Sequence, residues 1–509
     1  MLPFDSLADK AKCDSVVLPD SLQAQLAGRG PAIRRVLSAA RSSFLNGKGG
    51  DPSSALHVVG TDCSGLDTPI MALQSLQFKF RHLFSSEIAR GPQLWISANF
   101  RPEQFYKNML HRKPMDGFSG YMAGFPCQPW SVLNHTSKFF KDPRAKVIVA
   151  MIDTVMSGLP QWAIFENVLG LLRFLKRFLS TLKRRGVARQ YFVFIIPLCP
   201  RAVLQEPARR PRLYFLLVRR DVAISNDIAV MVNLLSCLLQ AARSAANPSR
   251  LQSIMFKSQR NHPGKPRPAK RKASAKVLPM RPRPKWLETH AAFRKKIGIP
   301  ASASRQYVYP FHLTDRESDV LDIHRSRHPQ SSCLVVDVSQ SAQRATVGLD
   351  GEVTVLTTRC KPIVCFGDGS TKLIDPEERL LLQGIPLHKY RIPNDLSPRD
   401  RDALAGNAMH CGIAELAIMM AMSLVDWSSA QCVAGRKPQC VPTDDAPPQV
   451  CQCREDGKLV AVTLKPKRRK KQPTQKKSTN NMTTTTTKLN IKKHTRRQLI
   501  KRKAIAAVG

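Results

Sequence analysis

Between Leu56 and Val218, short apolar runs alternate with stretches of helical periodicity, and no other feature restricts the fold of this chain as much. Leu56–Gly60, Phe80–Ser86, Gly120–Gly124, Trp162–Phe165, Tyr191–Pro197 and Leu213–Val218 read as strands, short and rich in β-branched or aromatic residues. Pro69–Leu76, Pro92–Phe100, Lys146–Ser157 and Leu171–Arg185 read as helices between them. Alternation of this kind predicts an α/β class, a mostly parallel sheet with helices on both faces. Ligands in such sheets lie outside the carboxyl ends of the strands, so loops that follow strands are where chemistry is sought.

Elsewhere the pattern changes. One helix is expected around Gly30–Leu45, and Asp227–Ala245 reads as another, apolar helix. Lys257–Lys285 carries eleven Lys/Arg and no acid, is broken by repeated prolines, and is expected to be extended or disordered. Leu313–Thr358 reads as short strands, and Pro376–Gln383 and Leu404–Leu424 as helices. From Lys458 to the end there are seventeen Lys/Arg and no acid, a composition that cannot bury a core, so this tail is expected to be disordered.

The formal net charge of +43 exceeds what solubility needs and points to a polyanionic partner. DNA, RNA and an anionic membrane surface all fit charge alone. No run of eighteen apolar residues and no secretory signal is visible, so no membrane partner is expected. The 13 cysteines are scattered, which suggests reduced thiols in a cytosolic or nuclear compartment. Cys432, Cys440, Cys451 and Cys453 match no common zinc spacing and have no close histidine, so no metal is expected.

Three segments carry chemistry. Gly124-Phe125-Pro126-Cys127-Gln128-Pro129-Trp130-Ser131 follows a strand, with a cysteine presented between two prolines. Taken singly, Cys127 is more often a buried structural thiol than a reactive one. Phe165-Glu166-Asn167-Val168 places an acid at the end of a neighbouring strand, where a helix N-cap is an equal reading. Arg209-Arg210-Pro211-Arg212-Leu213-Tyr214 sets Arg210 and Arg212 on one side as the chain enters a strand, where a solvated face is the bland reading.

Together, and in this order, these segments resemble the cytosine-5 DNA methyltransferase family. Asp375–Pro386 and Ala405-Gly406-Asn407-Ala408 are similar to the family's last two motifs, so the resemblance spans about Leu56 to Val425. It implies a Rossmann-like, S-adenosylmethionine-dependent methyltransferase sheet with a small, mostly β target-recognition domain and a disordered basic tail. The boundaries that follow are 1–55 for an N-terminal extension, 56–222 for the catalytic core and 223–371 for target recognition with the basic insert 257–285. Residues 372–426 complete the methyltransferase domain, and 427–509 form a linker and tail.

The resemblance also implies the chemistry. Carbon 5 of cytosine is a poor nucleophile, and a thiolate adding at carbon 6 makes it enamine-like. Cys127 stands in the place of that thiol, Glu166 in that of the acid contacting ring nitrogen 3, and Arg210 and Arg212 in those of the paired arginines beside the base. S-adenosyl-L-methionine is the implied donor, with Ser64, Gly65, Leu66 and Asp67 in its loop, Glu87 on the ribose, Asn108 near the adenine, and Pro126 and Asn407 closing the site. The family's aromatic and double glycine in that loop are here Cys63 and Asp67-Thr68. Double-stranded DNA with a flipped-out cytosine is the implied partner. Gln128, Ser131, Arg144, Thr354 and Arg379 fall among the DNA-side positions, Arg379 also holding the constellation together, and Val132–Arg144 fills the place of the flipping loop. Lys270-Arg271-Lys272 and Lys467–Lys471 read as nuclear-targeting clusters. Two other readings stay open: the same chemistry on tRNA, and a catalytically silent chromatin- or DNA-binding protein that keeps the fold.

Overall fold

Strands β1 (His57–Asp62), β2 (Phe80–Ser86), β3 (Gln104–Tyr106), β4 (Gly120–Gly124), β5 (Trp162–Val168), β6 (Tyr191–Leu198) and β7 (Arg212–Arg219) build the main sheet. The computed structural model describes residues 13–131, 139–249, 251–255, 284–299, 309, 311–428, 449–453 and 459–462. The chain divides into Met1–Thr463 and Leu464–Gly509, and every described residue belongs to the first unit. The strand order is 6-7-5-4-1-2-3, and β7 runs antiparallel to both its neighbours while the others are parallel. The order reverses between β1 and β4, and a crevice opens at such a switch point. This is a Rossmann-like, doubly wound sheet with one antiparallel strand.

Successive residues of the central strands enter opposite cores. Val58, Tyr121, Phe165 and Phe215 pack with α4 (Lys146–Gly158) and α5 (Leu175–Arg184) on one face. Val59, Met122, Ile164 and Leu216 pack on the other face. There they meet α1 (Asp20–Phe44), α2 (Thr68–Ser75), α3 (Arg90–Asn99), α6 (Ile228–Ser244) and α11 (Cys411–Ser423). Burial on both sides explains why these strands are apolar throughout rather than alternating.

Helix α1 begins at Asp20, ten residues ahead of the expected start, and runs through Pro31. Leu22 and Leu26 extend the buried stripe N-terminal to the expected start. Two arginines, the half-buried Arg29 and the buried Arg41, tie α1 to α11. Arg29 bonds both carboxylate oxygens of the fully buried Glu415, at 3.0 and 3.1 Å, and the Gly384 carbonyl at 2.8 Å. Arg41 bonds the carbonyls of Ser423 and Val425 at the other end of α11, where unpaired carbonyls favour a cation. The segment read as an extension is therefore welded to the catalytic unit.

The helix expected over Leu404–Leu424 is two, α10 (Pro398–Asn407) and α11, separated at Ala408–His410. His410 caps α11 by accepting the Ile413 N–H. The stretch Pro398–Ser423 is the one among the described residues long and apolar enough to cross a membrane, and its most apolar part is 83% buried inside this fold.

The accessory part is α+β rather than mostly β. Its sheet, in the order β9-β8-β10-β11, joins β8 (Cys333–Asp337), β9 (Val347–Gly348), β10 (Pro362–Phe366) and β11 (Thr371–Leu373), all antiparallel. Helices α7 (Lys285–Lys296) and α8 (Asp315–Arg327) complete it. The sequence does announce α8, through a capping box between Thr314 and Glu317. Between this part and α10 lies α9 (Pro376–Leu381).

A hairpin, β12 (Gln449–Cys453) and β13 (Leu459–Val462), extends the main sheet, with β12 parallel to β6. Leu459 is buried and Ser236 on α6 accepts its N–H at 3.0 Å. The basic composition from Lys458 onward hid this short apolar segment, so the expectation of disorder fails for Leu459–Val462. Val132–Lys138, most of Lys257–Lys285 and the rest of the tail lie outside the described residues.

Candidate active site

The parallel strands β1, β2, β4 and β5 end at one rim of the sheet, and the antiparallel β7 begins there. Register fixes the neighbours: Gly124 pairs with Glu166, and Glu166 with Tyr214. Glu166 therefore lies within β5, which runs three residues past the expected end.

Cys127 sits three residues beyond β4 in a turn that its own carbonyl organises, accepting the Trp130 and Ser131 N–H groups at 2.9 Å each. Asn167, fully buried, donates from Nδ2 to the Phe125 carbonyl at 3.0 Å. Its Oδ1 accepts the Val168 N–H, which fixes the amide's orientation. Asn167 was quoted in the sequence motif but given no role; the structure makes it the clamp on the approach to the cysteine. Arg212 Nε lies 3.1 Å from Glu166 Oε1. Burial pushes the Cys127 thiol above its ordinary value; Arg212 and Arg210 draw it down, and the Glu166 carboxylate raises it.

Arg210 is buried and bonds the Leu356 carbonyl at 2.9 Å and the Ala408 carbonyl at 2.8 Å. It couples the start of β7 to the accessory part and to the α10–α11 turn. Desolvation and the neighbouring Arg212 push its guanidinium down to about 10. Its Nε is buried without a hydrogen-bond partner among the described residues. Met409, on the same turn, packs on Gly124, where an added Cβ would lie 2.7 Å from the methionine methyl. Sequence reasoning gave no hint of Met409.

At the end of β1, Gly65 has φ +56° and a Cβ there would lie 2.4 Å from the Asn407 carbonyl oxygen. Its N–H donates to Glu87 Oε2 at 2.8 Å, and Glu87 Oε1 accepts the Ala89 N–H. Burial raises the Glu87 carboxyl, against those backbone donors. Ser64 and Leu66 are buried. Asp67 turns inward: it is fully buried, accepts from Thr61 and Ser85, and is pushed up to about 7 by desolvation. Its carboxylate is occupied within the protein, which removes it from direct contact with a cofactor in this conformation. Cys63 directs its thiol to Met109 Sδ at 3.8 Å. Asn108 is half-buried, its side chain accepting the Leu110 N–H.

Pro126, expected at the cofactor, is half-buried; on the expected DNA side, Gln128 is exposed and Ser131 half-buried. Arg144 is partly exposed and paired with Asp142 at 2.6 Å. Thr354 is half-buried and bonds Thr346 at 2.7 Å. Arg379 is buried, bonded to the Ile374 and Cys360 carbonyls at 2.9 and 3.2 Å. These bonds tie α9 to the edge of the accessory sheet.

A family model described as C-5 cytosine-specific DNA methylase matches residues 63–419, well over half the chain. Among curated proteins, the orphan methyltransferase M.Rho11sI of Bacillus phage rho11s is 26% identical over 148 residues, 29% of this chain and 29% of that protein. The orphan methyltransferase M.SPRI of Bacillus phage SPR is 27% identical over 118 residues, 23% of this chain and 26% of that protein. The chain thus spans under a third of the length of these relatives. Among solved structures, the Dnmt2 methyltransferase of S. pombe shares 13% identity at a TM-score of 0.40, covering 72% of this chain and 98% of that one. The methyltransferase EhMeth of Entamoeba histolytica shares 11% at a TM-score of 0.38, covering 72% and 98%.

Proposed function

This chain belongs to the C-5 cytosine-specific DNA methylase family, and we propose that it methylates carbon 5 of cytosine in double-stranded DNA with S-adenosylmethionine as donor. The observation that carries the reading is the convergence of Cys127 with the Glu166–Arg212 pair at one rim of the sheet.

The Cys127 thiolate adds to carbon 6 of a cytosine flipped out of the duplex, the carbon 5–carbon 6 π pair moving to carbon 5; once carbon 5 is methylated, loss of its proton to a base and departure of the thiolate restore the double bond. Glu166 hydrogen-bonds ring nitrogen 3 and the exocyclic amine. Arg212 and Arg210 favour the thiolate against burial and the Glu166 carboxylate. The unpartnered Nε of Arg210 is a donor available near the base. Asn167 positions the cysteine loop through Phe125.

Two features of this chain fit the donor. Gly65 holds a left-handed, side-chain-free cradle under Asn407, and Glu87 closes β2 with a buried carboxylate suited to ribose hydroxyls. Bound there, S-adenosylmethionine supplies an electrophilic methyl group. Ser64, Leu66, Pro126, Asn407 and Asn108 would surround it, with Cys63 and Met109 providing a sulfur-lined wall where the family has an aromatic ring.

The accessory part serves target recognition, with Thr354, Gln128, Ser131 and Arg144 toward the DNA and Val132–Arg144 as the flipping loop. The basic insert and the basic tail add phosphate affinity and direct the protein to the nucleus. Labelled methyl transfer by the full chain to duplex DNA and to tRNA tests the reading. Transfer to cytosine in the duplex supports it, whereas transfer to tRNA alone would replace the proposed substrate.

A further inference from the structure

We propose that the exposed face of α5 is a second phosphate-binding surface, engaging the backbone of the same DNA duplex beside the catalytic loop. The inference rests on DNA being the substrate.

The surface is built, rather than merely basic. Between Asn167 and Gln190 the chain carries seven Lys/Arg and no acid, and all seven are exposed. Leu175, Phe178, Leu179 and Leu182 are buried at helical spacing and seat α5 on the sheet, which forces Lys176, Arg177, Lys183 and Arg184 outward. Among the described residues, Asp153 pairs with Arg185 at 2.6 Å and Asp142 with Arg144, and the excess of Lys and Arg over acids along this stretch makes the face basic.

The patch is continuous with the cysteine loop. Arg173 Nη2 donates to the Trp130 carbonyl at 3.1 Å, three residues beyond Cys127. The Trp130 and Phe140 rings meet edge to face at 4.8 Å, and the Arg177 guanidinium lies 4.4 Å from the Phe140 centroid. Phe140 is followed by exposed Lys141, Arg144 and Lys146. A backbone held by Arg144 therefore meets further cations along α5. At about 1.5 Å rise per residue, Lys176 to Arg184 spans roughly 12 Å, the length of three to four base pairs. Arg173 and Arg177 also make phosphate binding on α5 sensible to the loop that carries Cys127.

The triple variant Lys176→Gln/Lys183→Gln/Arg184→Gln of the full chain tests this. Binding is read by fluorescence anisotropy against salt, with duplexes of about 10 and about 24 base pairs. The slope of log affinity against log salt for the long duplex should flatten by about 2 to 3, since each neutralised phosphate contributes about 0.9. The affinity advantage of the long duplex over the short one should shrink, while calorimetric S-adenosylmethionine binding and melting temperature stay unchanged. An unchanged slope and length dependence overturns the proposal. So does a variant that loses binding to phosphatidylserine vesicles but keeps its DNA behaviour. The two readings fail separately: normal methylation with an unchanged slope sinks only the surface. A flattened slope in a protein that transfers no methyl group sinks only the enzyme.

Discussion

Asn167 Nδ2 donates to the Phe125 carbonyl at 3.0 Å, two residues ahead of Cys127, and so fixes a loop from a strand that pairs beside it. Replacing Asn167 by Ala leaves that carbonyl without its partner in a buried setting, at a cost of about 1–3 kcal/mol. The larger effect is expected in the chemical step. In Asn167→Ala, kcat should fall at least about tenfold, with S-adenosylmethionine affinity by calorimetry unchanged. Equal losses in both would make Asn167 a general stability residue instead.

The environment of Cys127 predicts a pH profile. Burial raises the thiol above its ordinary value, so alkylation of Cys127 by iodoacetamide, read by mass spectrometry of its peptide, should be slow at neutral pH and climb beyond about pH 9. Arg212 is the first cation lowering the thiol, so Arg212→Gln should move the profile to higher pH. Glu166 raises it, so Glu166→Gln should move the profile to lower pH. Shifts of the opposite sign would contradict the described electrostatics.

Gly65 combines φ +56° with a carbonyl oxygen 2.4 Å from any added Cβ. Left-handed backbone costs an alanine roughly 1–2 kcal/mol before the clash is counted. Gly65→Ala should therefore displace Asn407 and weaken S-adenosylmethionine binding by at least about tenfold, measured by calorimetry. Unchanged affinity would place the cofactor away from this loop.

Arg29 makes α1 part of the catalytic unit. Its loss strands the fully buried Glu415, and breaking a buried pair from one side costs about 3–5 kcal/mol. Arg29→Ala should lower the melting temperature by many degrees, and a chain starting at residue 51 should fail to fold. Calorimetric melting of both checks this.

Six strands of the main sheet were legible in the sequence because they are apolar and interrupted by helices of clear periodicity; β3, three half-buried residues, and the hairpin β12–β13 were not. The cysteine, acid and arginine segments were legible because each follows or precedes a strand at the same rim. What escaped depended on contacts distant in sequence. The stripe of α1 is interrupted by Gly28, Gly30 and Pro31, and nothing local shows that Arg29 meets Glu415 or that Arg41 meets Ser423. The break between α10 and α11 is held by Arg210, two residues ahead of β7, so local apolarity predicted one helix. The bonds that Arg379 makes to the Ile374 and Cys360 carbonyls are likewise not visible in its motif. Leu459–Val462 was hidden by the basic residues around it, and a truncation of the tail should now spare residues up to Thr463.

The most direct test of the central claim is trapping on duplex DNA containing 5-fluorocytosine, where the proton that must leave carbon 5 is replaced by fluorine. The account predicts a covalent protein–DNA adduct that requires S-adenosylmethionine and is absent in Cys127→Ala. An adduct formed equally by Cys127→Ala, or none from a wild-type protein that binds both DNA and S-adenosylmethionine, would contradict it.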